Sequence, residues 1–537
     1  MPRSKVNRRD FLKTTAAGAA AASALSLTAT TYSRAKGANE RIGVAFVGTG
    51  GRCQEHIGVV NKFKKENKGA EPVAVCDVWD GHYEKRQTKR SDGKVVETEY
   101  IQGLYPSAKR CGLDPDDKTH VTKDYRRLLE LKEVDVVCVA TPDHWHAKVS
   151  IDAAAAGKDV YCEKPMTKTI DEAHAVVDAM KHHNRVMTVG VQSMADPTWR
   201  KAYELIRDGK IGHVCQAQTS YYRNYIGGQW RYYELFKDMN PKTVDWDMFL
   251  GTQFNVFPGV PLAPSMPFDR AIFGQWRCYW PFGGGMFTDL FVHQTTHMIA
   301  AMGVRYPARV MGGGGIYLEY DERDVPDVAS IVADYDEGCQ LIVTATMIND
   351  YPIQECIRGR LATIVFRDKD TGKKDDRGKA IKEFGLEILP QGMKSGPGVP
   401  KRLENMQGEF IAGGLTGNDT EALWAHFLDC VRSKNRETLC PPELGAAAFT
   451  TVNMGVQSYR GGTILFWDKE QRKPVLADAS WAERWEKRSK GHGKPNQIAG
   501  WQGGDSGSIV DPPKYMKLAG PWLNGKDPAE SVASRDS

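Results

Sequence analysis

Three stretches of this chain hold residue types that can do chemistry. Gly48-Thr49-Gly50-Gly51-Arg52-Cys53 directly follows the apolar run 42–47. Glycines at a strand end let the backbone turn tightly and approach a pyrophosphate, whose charge rests on the following helix N-terminus. Cys53 stands where that pattern usually has Gly or Ala, and a plain glycine turn would look the same. Asp77 ends the next apolar run, roughly 24 residues beyond Cys53, where an acid accepts both adenosine ribose hydroxyls and repels a 2′-phosphate. That favours NAD over NADP.

The second stretch is split over two strand ends. Thr141-Pro142-Asp143-His144-Trp145-His146 follows the run 134–140, and Glu163-Lys164-Pro165 follows 159–162. Carboxyl ends of parallel strands are where open α/β sheets bind ligands, although Glu163-Lys164-Pro165 alone also reads as a charged turn before a helix. The third is Gly283-Gly284-Gly285-Met286-Phe287-Thr288-Asp289, continuing to His293 and His297. If it is helical, Asp289, His293 and His297 fall near one face. His293 and His297 have a metal-like spacing, but Gln294 replaces the glutamate of a zinc-protease motif. No metal is expected, and His297 reads equally well as a core histidine with a carboxylate partner.

The elements that must hold these residues alternate at first. Apolar runs at 42–47, 73–78, 134–140, 159–162 and 186–191 read as parallel strands, with helices at 150–156 and 170–182. Residues 81–119 are too long and charged for a minimal crossover, and predict an extended helix or an excursion. After about residue 192 the runs 214–222, 310–319, 329–335, 340–346 and 361–366 follow one another, which predicts a mostly antiparallel sheet. Residues 227–282, rich in Trp, Tyr, Pro and Gly, predict a long ordered loop region. Helical patterning returns at 420–432 and 442–459.

Taken together, these segments resemble the Gfo/Idh/MocA family over most of residues 40–470. The glycine turn, Thr141-Pro142 with His146, Glu163-Lys164-Pro165, and Asp289 four residues before His293 occur in the family's order. The resemblance implies an α/β fold: a Rossmann domain over 40–192, then an α+β domain over 193–480 whose open sheet forms a homo-oligomer, then an extended tail over 481–537. It implies that Gly48, Thr49, Gly50, Gly51, Arg52, Asp77, Thr141, Pro142, His146, Glu163 and Lys164 hold the cofactor. Lys164 serves nicotinamide and substrate, His293 is the general base, and Asp289 holds the substrate hydroxyl and orients His293. His297, Trp276 and Arg277 fall where relatives contact sugar hydroxyls. An imidazole suits proton removal from an alcohol, and an ammonium stabilises developing alkoxide.

The implied reaction is hydride transfer between a sugar, polyol or glycoside hydroxyl and a tightly held nicotinamide. Relatives of this fold also cleave glycosides with no net redox, through a transient keto-sugar. In the exported N-acetylgalactosaminidases of that kind the motif lysine is typically absent, so Lys164 favours oxidation.

At 537 residues the chain can bury two cores, and its 72 basic and 67 acidic residues nearly balance. Nothing in that balance calls for nucleic acid. The eleven cysteines include no CxxC pair, and Cys76, Cys138 and Cys162 lie in apolar runs as small hydrophobes. Arg8-Arg9 before an Ala-rich stretch resembles a twin-arginine signal over 1–35, implying periplasmic export of a folded protein. No stretch reads as an integral membrane span.

Overall fold

The computed structural model describes residues 41–89, 93–374, 378, 380–392, 407–476 and 481–491. The expected signal, 1–35, lies outside these residues, as does most of the expected tail. No helix among the described residues is long and apolar enough to cross a membrane.

The first strand, Ile42–Val47, is buried along its whole length, as a strand covered on both faces must be. It lies in a six-stranded parallel sheet in the order Val121–Thr122, Ala70–Cys76, Ile42–Val47, Val136–Val139, Asp159–Glu163, Met187–Gly190. Ile42–Val47 and Val136–Val139 are neighbours where the sheet's growth reverses, so a crevice opens beyond their carboxyl ends. The stretch 81–119 is an excursion rather than an extended helix. Strands His82–Lys89 and Val95–Gln102 form an antiparallel hairpin, and only the short helix Leu104–Cys111 follows. Residues 81–99 are crowded with charges and offer a long helix no apolar stripe to bury.

The second sheet runs Glu409–Ala412, Ala380–Pro390, Ala362–Lys374, Cys356–Gly359, Val214–Asn224, Cys339–Thr346, Val328–Tyr335, Arg309–Gly315, Leu465–Asp468, Lys473–Leu476. Its pairs are antiparallel except Val214–Asn224 with Cys339–Thr346. Helices Phe291–Met302 and Pro442–Gly461 cover one face, their apolar residues joining the strands in a common core. The other face carries polar cross-strand pairs, such as Ser330 Oγ to Thr344 Oγ1 at 2.8 Å and Gln216 Nε2 to Gln340 Oε1 at 3.0 Å. The cysteines are free thiols, all but Cys215 buried, as small hydrophobes would be.

The chain does not divide as simply as its sequence suggests. Helix Asp419–Ser433 leaves the second domain and packs on the first, with Leu423, Trp424 and Phe427 buried among Ile57, Val60 and Tyr161. Trp424 stacks on Tyr161 with ring centres 4.4 Å apart, and its indole donates to His56 Nδ1 at 2.9 Å. The tail begins as a helix, Trp481–Gly491, with the Arg309 guanidinium 4.8 Å from the Trp481 ring centre.

Residues 227–282 are ordered with little regular structure, as expected. Aromatic packing holds them over the crevice: Trp246, Phe249 and Phe282 cluster there, and Phe249 O accepts His144 Nε2 at 2.8 Å and Trp145 Nε1 at 2.9 Å. Trp424→Phe keeps most of the apolar packing but strands His56 Nδ1 in the interior. It should cost about 1–3 kcal/mol, read as a lower urea midpoint at unchanged slope.

Candidate functional site

The glycine turn sits where its sequence put it. Gly48 has φ +82°, and a Cβ there would meet Thr141 Cα at 2.7 Å, so the two strand-end turns touch only because this residue is glycine. The helix Gly51–Lys65 follows with no side-chain cap and no acid in its first turn. Its first N–H groups and positive end thus face the crevice. A Cβ on Gly50 would meet nothing within 4 Å, which leaves open the space a phosphate needs.

A groove runs from this turn over Asp77 towards Thr141 and Pro142. Asp77 Oδ2 accepts Thr49 N at 2.6 Å and Oδ1 accepts Trp79 N at 2.9 Å; burial lifts the carboxyl to about 6. Thr49 Oγ1 also donates to Oδ2, at 3.2 Å, so of the carboxylate's roughly four lone-pair sites about one is left for a ribose hydroxyl. Thr141 Oγ1 is buried without a protein partner where the groove meets the inner cavity. These features fit a dinucleotide. Of the expected cofactor residues, Gly48, Gly50, Gly51, Arg52, Asp77, Thr141 and Pro142 line the groove. Thr49 does not; its side chain turns to Asp77.

The inner cavity is lined by Lys164, Asp289 and His293, with His146 and Glu163 at its floor and Tyr221, Trp230 and Tyr232 as walls. Helix Gly285–Asp289 ends at Asp289, and Phe291–Met302 begins after Leu290. Asp289 and His293 are therefore not on one continuous helical face. That ending frees the Asp289 carbonyl, which accepts Lys164 Nζ at 2.9 Å while Oδ1 accepts the same ammonium at 2.8 Å. Arg277 Nε adds a third bond, 3.1 Å to Oδ1. Burial alone would raise the Asp289 carboxyl; Lys164 and Arg277 outweigh it and hold it well below the carboxylate range.

Asp289 thus turns to Lys164 and Arg277, not to His293 as expected. The His293 imidazole has no side-chain hydrogen bond among the described residues; its nearest ring neighbour is Tyr221, with centres 6.0 Å apart. Burial, then Lys164, push it down to about 3. His297 lies outside the cavity, 3% exposed, stacked on Trp199 at 3.9 Å. Its nitrogens face Glu355 Oε1 at 2.9 Å and Ser193 Oγ at 3.2 Å, the arrangement of a core histidine rather than a sugar contact. Trp276 lines the groove, while Arg277 lines both groove and cavity.

The support beneath these groups was not visible in the motifs. Glu163 Oε1 accepts Arg52 Nε at 2.8 Å, His56 Nε2 at 2.9 Å and Gln192 Nε2 at 2.9 Å. Burial would raise this carboxyl, but Arg52 and His56 hold it well down. A Cβ on Gly190 would strike Glu163 Oε1 at 2.9 Å, so the adjacent strand leaves room for it with a glycine. His146 bridges Pro165 O at 2.6 Å and Thr141 O at 2.8 Å, bracing the two turns against each other.

Residues 42–191 match the oxidoreductase family with an NAD-binding Rossmann fold, Gfo/Idh/MocA. Residues 5–24 match the twin-arginine translocation pathway signal sequence, which directs export. A levoglucosan dehydrogenase of Pseudarthrobacter phenanthrenivorans is 34% identical over 119 residues, 22% of this chain and 29% of that protein. A glycosyl hydrolase family 109 protein of Shewanella pealeana is 27% identical over 280 residues, 48% of this chain and 54% of that protein. The chain thus spans between 29% and 54% of the length of these curated relatives. The fold is similar to the aldose-aldose oxidoreductase of Caulobacter crescentus solved with glycerol, with a TM-score of 0.52, 17% identity, and coverage of 79% of this chain and 99% of that one. Residues 42–191 thus form an NAD-binding Rossmann domain of the Gfo/Idh/MocA oxidoreductase family, with a twin-arginine signal sequence ahead of it.

Proposed function

We propose that this protein is an exported, periplasmic oxidoreductase acting on a hydroxyl of a sugar, polyol or glycoside, and that it keeps its NAD through successive turnovers. The observation that carries the reading is a pair of open proton-handling groups in one cavity that joins the glycine-turn groove. Lys164 has three N–H donors and spends two on Asp289, so one remains for a substrate oxygen. His293 is neutral and has no side-chain hydrogen bond among the described residues, which leaves a nitrogen lone pair for the hydroxyl proton. A nicotinamide bound here supplies the acceptor for the C–H hydrogen and its electron pair. Asp289, anionic and close by, favours the imidazolium that forms when His293 takes the proton. Lys164 stabilises the negative charge developing on the substrate oxygen before that transfer is complete. The reading extends to a homo-oligomer formed on the open sheet face.

Retention of the dinucleotide is supported by a roof made from both domains. Arg86, on the hairpin, bonds both Glu234 oxygens at 2.8 and 2.7 Å. Phe236 stacks on His82 at 4.0 Å and packs against Tyr100 at 5.1 Å. Tyr100, Gln102, Tyr233 and Glu234 line the groove, so these contacts join its two sides and oppose their separation. The exposed ion pair contributes only about 0–1 kcal/mol, and the aromatic contacts about 0.5–1.5 kcal/mol each. Phe236 is therefore the stronger half of the clasp.

Redox-neutral glycoside cleavage is the second reading, favoured by the 280-residue match to a glycosyl hydrolase family 109 protein. The cavity's lysine supports oxidation. A carbohydrate panel scored separately for nicotinamide reduction and for bond cleavage decides between them.

His293→Ala should lower turnover by about 10²–10⁴ and Lys164→Met by about 10²–10³, both with nicotinamide still bound. Unchanged turnover in His293→Ala overturns the assignment. Protein purified without added nucleotide should release NAD on denaturation, and Phe236→Ala should speed its loss roughly tenfold or more, the equivalent of about 1.4 kcal/mol. Wild-type protein free of nicotinamide would refute retention. Asp77 accepts a ribose hydroxyl as a carboxylate, and burial lifts its titration to about 6. NAD affinity of stripped protein should thus be full above about pH 7 and fall about tenfold per unit as the pH drops below 6. Titration calorimetry checks this, and Asp77→Asn should bind weakly with little of that pH dependence.

A further inference from the structure

The charges lining the inner cavity do not balance. Arg52 is matched by Glu163 at 2.8 Å. Lys164 and Arg277 share the single carboxylate of Asp289. Arg223 also lines the cavity, and no carboxylate among the described residues lies within ion-pair distance of it; its Nη2 donates to Tyr221 Oη at 2.6 Å. The remaining acid, Asp143, is 3% exposed, and burial, then Asp289, raise its carboxyl well above the usual range. Of the three cations Lys164, Arg277 and Arg223, only the first two have a carboxylate within ion-pair distance, and they share one. In a partly closed, aromatic-walled site such an excess is costly unless a ligand brings negative charge.

Arg223 is also in a position to receive it. Tyr221 and Arg223 are two apart on the strand Val214–Asn224, so their side chains stand on the same sheet face. The Arg223 guanidinium lies 4.8 Å from the Tyr221 ring centre, and the other neighbour of that ring is His293 at 6.0 Å. The Tyr221 ring thus neighbours both the imidazole and a guanidinium that has no carboxylate partner among the described residues. A guanidinium is a planar fork that matches a carboxylate in two parallel bonds.

We propose that the substrate is an acidic sugar, a uronate or its glycoside, whose carboxylate is bound by Arg223 while a ring hydroxyl faces Lys164 and His293. This rests on the hydroxyl-oxidising reading above and names its substrate class. The carboxylate takes no part in the bond changes; it fixes the ring's orientation, with Trp230 and Tyr232 as walls.

The test uses the nicotinamide-containing protein and three probes: methyl glucuronoside, methyl glucoside and glucose 6-phosphate. Dissociation constants come from calorimetry, and nicotinamide reduction is followed separately by absorbance. The uronoside should bind at least about tenfold tighter than the neutral glycoside, a difference near 1.4 kcal/mol, and less so at high salt. In Arg223→Gln that ratio should fall to near one, and Arg223→Lys should keep part of it. Retained nicotinamide and an unchanged melting temperature show that each variant is folded. Equal binding of acidic and neutral sugars, an unaltered ratio in Arg223→Gln, or binding of no probe overturns the proposal. Preferred binding of the phosphate overturns the carboxylate assignment. Arg223-dependent uronoside binding without nicotinamide reduction overturns the oxidoreductase reading and leaves this one standing; oxidation of sugars with no acid preference does the reverse.

Discussion

The contact between Lys164 and Asp289 ties a strand-end turn of the Rossmann domain to a helix end of the second domain, inside the cavity that both line. Such a pair is a poor source of stability. Each charge gives up water, and the mutual attraction repays that only when the remaining donors and acceptors are met. Here the carboxylate is met by Arg277 as well, while the ammonium keeps a donor to spare. The fold thus bears the cost of an electrostatic site whose unsatisfied capacity faces inward. Its worth lies in orientation, because either partner alone would leave a buried charge uncompensated.

Holding Lys164 in place is the task of the residue beside it. Glu163 accepts three side-chain donors and also the Lys164 N–H at 3.1 Å, so the turn that aims the lysine is fixed through its neighbour's carboxylate. The donors come from separate places: Arg52 and His56 from the glycine-turn helix, and Gln192 from the end of the sheet. His56 is in turn fixed as the tautomer protonated at Nε2, since Nδ1 accepts the Trp424 indole. A residue far along the chain therefore sets the donor pattern under the dinucleotide turn. This gives helix Asp419–Ser433 a reason to cross back to the first domain beyond its own apolar burial.

What could be read in the sequence was whatever depended on local pattern. Ile42–Val47 and the helix Ile170–His182 came out at their true limits because an unbroken apolar run and a capped amphipathic stretch need no distant partner to be recognised. The groove was legible because glycines and Asp77 act through backbone geometry at one turn. The hairpin 82–102 was not, since its strands are mostly exposed and owe their form to each other and to Phe236. Equal helical spacing from Asp289 to His293 and His297 suggested one shared face. The break at Leu290 turned Asp289 to Lys164 and Arg277, and Glu355 and Trp199 hold His297 outside the cavity that Asp289 and His293 share. Glu163's partners were invisible for the same reason: they are set by tertiary approach, not by spacing.

The aromatic stretch 227–282 shows how one composition can serve two ends. Tyr and Trp suit sugar stacking, core filling and interfaces alike, so their count alone decides nothing. Their partners do decide. Trp246, Phe249 and Phe282 pack on one another and on His144, and so anchor the stretch. Tyr233 and Arg277 instead line groove and cavity together, the guanidinium 5.4 Å from the Tyr233 ring centre. The wall between the two compartments is thus built from the same chain that roofs the groove. Tyr233 and Arg277 belong to both compartments, so a shift of this stretch reshapes groove and cavity together.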